Sequence, residues 1–424
     1  VTAVVPGRRV VIGGWYGAAN LGDEMILGAF LEWIREADGV PTVISVNPHY
    51  TRGMHDVNAV GYNDLPAIVE AVAAADLLLL GGGGLFQDYD VFDARSLARF
   101  PAANVSQFAQ FLFLADELGV DTAVLAQGVG PLRGDEARAV AAEVFQRAGT
   151  SSVRDEESAL LLRAIAVERP VAIAPDPAWT LRTTPIEPAS RYPALAGRPV
   201  MALVLRDWPF DRRWEDAFVA AYDDALPRDW GCLWLDFSRA PDAVLERPLY
   251  DEIAPRLAAR LPRLTHVVWD GMRLQDAAAL IAGSDALIAM RLHGVLLGHL
   301  AALPVVALEY DGKVKALGDA LGVPAALRMP LEEIAERLPD ALRAVCGSER
   351  RSVYRLDAGT RARLADDALA HRALLWQAMA AAPRASRKRA RRESLLAGWM
   401  SGEDDDARRR IVAALVGRLR RVGD

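Results

Sequence analysis

The chain has 424 residues, enough for two domains or three and too many for one small module. With 52% apolar and 25% charged residues it can bury a sizeable core, which excludes bulk disorder. A net charge of -7 disfavours a nucleic-acid coat, so an anionic substrate has to meet a local cluster of cations.

In chain order, the first half alternates β-rich runs (RRVVIGG, PTVISV, DLLLLGG, DTAVLAQ, SSVRD, PVAIAP) with amphipathic stretches such as EMILGAFLEWIREA and VSQFAQFLFLADEL. This predicts a Rossmann-like α/β domain over residues 1–182. The nearly unbroken apolar runs predict parallel strands covered on both faces. The proline-rich residues 183–200 read as a linker. A second series (VMALVLR, GCLWLDF, THVVWD, DALIAM, PVVALEY) predicts a second doubly wound domain over 201–330. Residues 331–380 turn helical, and 381–424 form a basic tail. That tail is expected to be a solvated surface helix, with contact to anionic lipid headgroups as the alternative. Open α/β sheets bind ligands at the carboxyl ends of their strands, so the functional residues are expected there, lining a cleft.

Cys232 and Cys346 are too few for a disulfide framework or a zinc site, which points to a reducing compartment and a cytoplasmic protein. No apolar run approaches the ~20 residues of a membrane span, and the opening apolar stretch is too short for a secretory signal.

The first strand runs into GGWYGAANLGDEMIL, a weak dinucleotide fingerprint: its glycines are wrongly spaced, and Asp23 and Glu24 stand where a pyrophosphate would dock. Asn20, Asp23 and Glu24 read either as a capped helix start or as ligands for the hydroxyls of a sugar acceptor, with Trp15 and Tyr16 available to stack on its ring. Gly81 to Gly84 permit close approach of backbone to a ligand or to a neighbouring chain segment. With AQGVGPL they are expected to line the cleft through Gly82, Gly83, Gln127 and Gly128. Arg154 ends the SSVRD strand and either bonds Asp155 or Glu157 of its own helix or points into the cleft. Asp176, in APDPAW, either caps a turn or binds a hydroxyl.

The most informative stretch is DALIAMRLHGVLLGHLAALPVVALEYDGKVKALGDALGV. Its first strand ends at Met290, and Arg291-Leu292-His293-Gly294 turns into a helix at the cleft mouth. A histidine between arginine and glycine at such a turn reads as catalytic, whereas His299 within the helix reads as packing. The next strand delivers Lys313, so that Arg154, Arg291, Lys313 and His293 are expected to make an anion site.

Taken together, GGWYGAANLGDEMIL, LLLLGGGGLFQD, AQGVGPL, SVRDEES, APDPAW, MRLHG and YDGKVKALGDALG resemble the polysaccharide pyruvyl transferase family, particularly its CsaB type. The resemblance covers about residues 8–325 and implies two Rossmann-like domains in the GT-B arrangement. It also implies phosphoenolpyruvate as donor and a lipid-linked cell-wall precursor as acceptor, the product serving to anchor surface-layer proteins. The family uses the histidine of its R-L-H-G motif and the arginines of S-V-R-D and R-L-H-G, here His293, Arg154 and Arg291. Lys313 matches a further basic position. Neither a metal nor a cofactor is called for. The basic tail, outside the resemblance, is a candidate for peripheral contact with the inner membrane face. The rival reading is a nucleotide-sugar glycosyltransferase, with a diphosphate at the helix after Gly294 and a ribose on Glu309. A non-catalytic polymer-binding protein is the third.

Overall fold

The computed structural model describes residues 6–88, 105–206, 208, 212–237, 257, 260–261, 264–268 and 274–381. By its contacts the described chain divides into two compact units. The first holds the residues up to Ala18, Asp23–Thr180 and those from Ala365 on; the second holds Ala19–Gly22 and Leu181–Leu364.

The first unit is built from β1 (Arg9–Gly13), α1 (Leu21–Glu36), β2 (Val40–Ser45), α2 (Pro48–His55), β3 (Asn58–Gly61), α3 (Leu65–Ala74), β4 (Leu77–Leu80), β5 (Gly83–Phe86), α4 (Val105–Leu118), β6 (Asp121–Val129), α5 (Asp135–Arg147), β7 (Thr150–Val153), α6 (Glu156–Ala164) and β8 (Ala172–Ile173). Its strands run in the order β3-β2-β1-β4-β6-β7-β8, with β5 pairing β6 beside that path. Every pair is parallel. All four leucines of β4 are buried, as a strand covered on both faces requires.

The second unit contains α7 (Pro188–Arg191), β9 (Val200–Val204), α8 (Arg213–Ala225), β10 (Gly231–Asp236), β11 (Leu264–Val268), α9 (Leu274–Ala282), β12 (Ala286–Ala289), α10 (Leu292–Leu300), β13 (Val305–Glu309), α11 (Gly312–Ala320), β14 (Arg328–Pro330) and α12 (Ile334–Cys346). Its sheet runs β11-β10-β9-β12-β13-β14, all parallel, so the order reverses between β9 and β12. The core joins Trp214, Phe218 and Tyr222 of α8 to Ile334, Leu338 and Leu342 of α12. Pro188 and Pro193 open short helical turns in the 183–200 stretch, and Ile186 N–H donates to the carbonyl of Ala279 at 2.9 Å, so this segment packs on α9.

A last helix, α13 (Ala358–Ala380), buries Ala368, His371, Leu375 and Met379, a stripe at helical spacing. Leu375 and Met379 enter the core of the first unit with Val10, Ile12 and Ile34, and Trp376 Nε1 donates to the carbonyl of Trp33 at 2.8 Å. Among the described residues no helix is long and apolar enough to cross a membrane. The basic tail from Pro383 on lies outside the described residues.

Candidate functional site

In the first unit, the loop leaving β1 places Trp15 half-buried, edge-on to Tyr62 with ring centroids 6.4 Å apart. Tyr16 departs from the expectation: its ring is fully buried in the core and presents no face for a sugar. Burial first, and then the carboxylate of Asp23, raises the pKa of both Tyr16 and Tyr62. Asp23 is buried beside Gly83, where an added Cβ would lie 2.7 Å from Asp23 Oδ1. Glu24 is fully buried; Oε1 accepts the N–H of Gly17 at 2.8 Å, and Oε2 lies 2.7 Å from His55 Nε2. The helix-start reading therefore describes Glu24, whose carboxylate fixes the loop before α1.

The glycines after β4 are placed by packing. A Cβ on Gly82 would lie 2.7 Å from the Ala126 carbonyl oxygen, and Gly83 takes φ +134°, a region that side chains avoid. Gln127, expected to line the cleft, is instead fully buried, its amide donating to the carbonyls of Leu80 and Gly81 at 3.2 and 2.5 Å.

At the end of β7, Arg154 Nη1 donates to Asp176 Oδ2 at 2.9 Å, while Nε is 3.8 Å from Asp155 Oδ2. Both side chains of the Arg154–Asp176 pair are only 6% exposed. Burial opposes the guanidinium charge, but Asp176, Asp155 and Asp23 outweigh it and raise the Arg154 pKa. Gly128 admits the guanidinium, since a Cβ there would come within 2.8 Å of it. Asp176 also caps the following turn, Oδ1 accepting the N–H of Ala178 at 3.0 Å.

A residue that sequence reasoning missed braces this pair. His371 of α13 is fully buried, with Nδ1 2.8 Å from Ser152 Oγ and Nε2 3.1 and 3.0 Å from the carbonyls of Ala174 and Pro175. Burial lowers its pKa against the pull of those carbonyls and Asp176, so the ring is neutral near pH 7. Nε2–H then donates to the carbonyls, and Nδ1 accepts from Ser152. In the sequence its only signal is a polar group on the apolar stripe of a helix.

In the second unit, Val204 of β9 pairs with Ala289 of β12, and Met290 N–H donates to the Val204 carbonyl at 2.8 Å. The chain then leaves the sheet at its order reversal, with Arg291 as N-cap of α10 and half-buried His293 in the first turn. The imidazole lies against Gly22, where a Cβ would be 2.1 Å from Nδ1. Half-buried Asn20 belongs to the same segment, which is tied down by Leu21 N–H donating to Phe237 O at 3.2 Å. Gly294, expected to line the cleft, packs α10 onto the sheet; its Cβ would be 2.8 Å from Val204 Cγ1. Asp311 caps α11 by accepting the N–H of Val314 at 3.1 Å, with half-buried Lys313 in the first turn.

Sequence reasoning also passed over Arg206, two residues beyond Val204. Its Nη1 donates to Tyr310 Oη at 2.9 Å, and the guanidinium lies 5.1 and 5.6 Å from the ring centroids of Tyr310 and Trp208. Burial, against Arg206 and with Asp311, raises the Tyr310 pKa, so the phenol keeps its proton. Glu309 is engaged by Arg328 at 3.3 Å. His299 is packing, as expected: it is fully buried, edge-on to Tyr354, and neither ring nitrogen has a hydrogen-bond partner among the described residues.

The family described as polysaccharide pyruvyl transferase matches residues 20–312, a span holding Arg154, Asp176, Arg206, Arg291 and His293 but ending before α12 and α13. No curated protein matches the sequence. Among solved structures the chain is similar to Anabaena HepE in complex with UDP-glucose, at 12% identity over 93% of this chain and 99% of that one, TM-score 0.53. It is similar to the Staphylococcus aureus MnaA–UDP structure at 9% identity, 87% and 95% coverage and TM-score 0.56. A glycosyltransferase from Rickettsia africae gives 10% identity, 88% and 98% coverage and TM-score 0.54. At such identities the likeness is one of fold, and the fold is of the GT-B class.

Proposed function

The chain belongs to the polysaccharide pyruvyl transferase family and is a transferase, and from that premise we propose that it joins pyruvate as a ketal to a sugar of a lipid-linked cell-wall precursor. The observation that carries the reading is the family match over residues 20–312 together with Arg291 and His293 at the order reversal of the second sheet. The donor in this proposal is phosphoenolpyruvate, which carries about three negative charges near neutrality and so needs several cations; an arginine fork matches both phosphate and carboxylate. Arg291 and Lys313 take that role. Arg154 is a further anion ligand, supported by a buried Nε without a hydrogen-bond partner among the described residues. Asn20, Asp23 and Trp15 take the acceptor.

His293 is the general acid. It gives a proton to the methylene carbon of the donor, and the oxocarbenium-like centre is attacked by one sugar hydroxyl, whose proton returns to the imidazole. A second hydroxyl then displaces the phosphate, its proton leaving with that group. The scheme takes neither metal nor cofactor. The CsaB type, with its product anchoring surface-layer proteins and the basic tail touching the inner membrane face, belongs to the same proposal.

A second reading is favoured by the UDP-glucose bound to HepE, a protein of the same fold: nucleotide-sugar glycosyl transfer, with Glu309 on the ribose. Against it, the carboxylate of Glu309 is engaged by Arg328. Offering the purified protein phosphoenolpyruvate or UDP-glucose and following thermal unfolding and phosphate release separates the two. Stabilisation and phosphate release with phosphoenolpyruvate alone support pyruvyl transfer; stabilisation by UDP-glucose alone overturns it.

A further inference from the structure

The geometry points to Arg206, braced by Tyr310 and Trp208, as a second arginine ligand for the anionic groups of the donor, beside Arg291. The inference deepens the proposed function and rests on its donor assignment.

Val204 and Ala289 face each other across the reversal between β9 and β12, and Arg206 and Arg291 each stand two residues further along. Open parallel sheets bind ligands where the strand order reverses, beyond the carboxyl ends of the strands. These two arginines therefore leave neighbouring strands at the same level and at the end where a ligand sits.

Next comes pre-organisation. A long arginine side chain loses rotamer freedom when fixed. Arg206 is fixed three times over, by a 2.9 Å hydrogen bond to Tyr310 Oη and by the rings of Tyr310 and Trp208 at 5.1 and 5.6 Å. The rings themselves meet edge to face at 4.8 Å. Stacking orients the planar fork, which a flexible ammonium group cannot reproduce.

Arg206 and Arg291 both act on Tyr310, as does Asp311, whose carboxylate caps α11. Lys313 stands in the first turn of α11. Holding like charges together is unfavourable in a partly desolvated site and becomes favourable once an anion joins them.

The test is calorimetric titration of phosphoenolpyruvate into the full chain and its Arg206→Ala, Arg206→Lys and Tyr310→Phe variants, with steady-state kinetics beside it. Arg206→Ala is expected to weaken binding by about tenfold or more, Arg206→Lys by several-fold, and Tyr310→Phe less, since only the brace is lost. Arg206→Lys should raise KM for the donor with kcat within a few-fold, a split that a purely structural role would not produce. Should Arg206→Ala fail to fold, Arg206→Lys carries the test. Arg206 variants that bind phosphoenolpyruvate as the wild type does overturn the inference and leave the donor standing. A wild type that binds none overturns the donor assignment itself.

Discussion

Two buried charges of the first unit, Arg154 and Glu24, have partners that offset their burial. Arg154 is matched by Asp176 at 2.9 Å, and the carboxylate of Glu24 by His55 and the N–H of Gly17. In the second unit, Arg206 and Arg291 follow β9 and β12, His293 stands in the first turn of α10, and Lys313 stands in the first turn of α11, which Asp311 caps. Yet both sheets are parallel and put their reversal between the first and fourth strands of the main run. The same topology thus sets different side chains at its strand ends, an arginine–aspartate pair in the first unit and two arginines at the order reversal in the second. Topology fixes where a ligand can bind; the few residues just past each strand decide which ligand it is.

The strongest way to break this contrast lies at His293. His293→Ala is expected to lower turnover by about two to four orders of magnitude while phosphoenolpyruvate affinity stays within a few-fold, measured by phosphate release and calorimetry. Gly22→Ala is expected to act on the same group without touching its chemistry, because the new Cβ would fall 2.1 Å from Nδ1 and push the ring aside. Unchanged turnover in His293→Ala would remove the imidazole as the acid.

Much of this was legible in the sequence, but unevenly. The apolar runs of β1, β4, β9, β12 and β13 announce themselves because strands buried on both faces leave no room for polar side chains. β3 (NAVG), β5 (GGLF) and β14 (RMP) do not, since each is short and holds a polar residue, glycine or proline. Arg291 and His293 are visible because a strand-to-helix turn is a local pattern. Arg206 is not, because only the pairing of β9 with β12 sets it level with Arg291. Tyr16 was misread as a stacking surface: adjacent residues on a loop can face opposite ways, and its ring turns into the core while Trp15 stays half-buried.

The neutralised pair of the first unit offers the next test, one of stability. Asp176→Ala leaves the buried guanidinium of Arg154 with Asp155, at 3.8 Å, as its remaining ion pair among the described residues, and removes the cap on Ala178. Loss of one partner from a buried ion pair costs about 3–5 kcal/mol, read from denaturant unfolding. Replacing both partners by apolar residues, Arg154→Met with Asp176→Leu, is expected to recover most of that loss. A double variant as unstable as the single one would show that the pair does more than neutralise itself.

The smallest effect uses two buried histidines, His371 of the first unit and His299 of the second, and predicts opposite signs for one substitution. His371 has hydrogen bonds to Ser152, Ala174 and Pro175, so His371→Leu strands a buried hydroxyl and carbonyl groups and is expected to destabilise by about 1–3 kcal/mol at pH 7. Burial of His299 lowers its pKa from 6.5 to about 4, and its ring nitrogens have no partner among the described residues. The unfolded chain takes up a proton near pH 6.5 and the folded chain only near pH 4. Stability therefore falls as pH drops through that window, by up to roughly 3 kcal/mol. His299→Leu removes both the unmet polar group and the titration. It should be neutral or stabilising at pH 7 and should flatten the decline in unfolding free energy between about pH 6.5 and 4. If His299→Leu instead destabilises at pH 7 as His371→Leu does, then His299 too is held by a polar partner and the contrast between the two rings disappears.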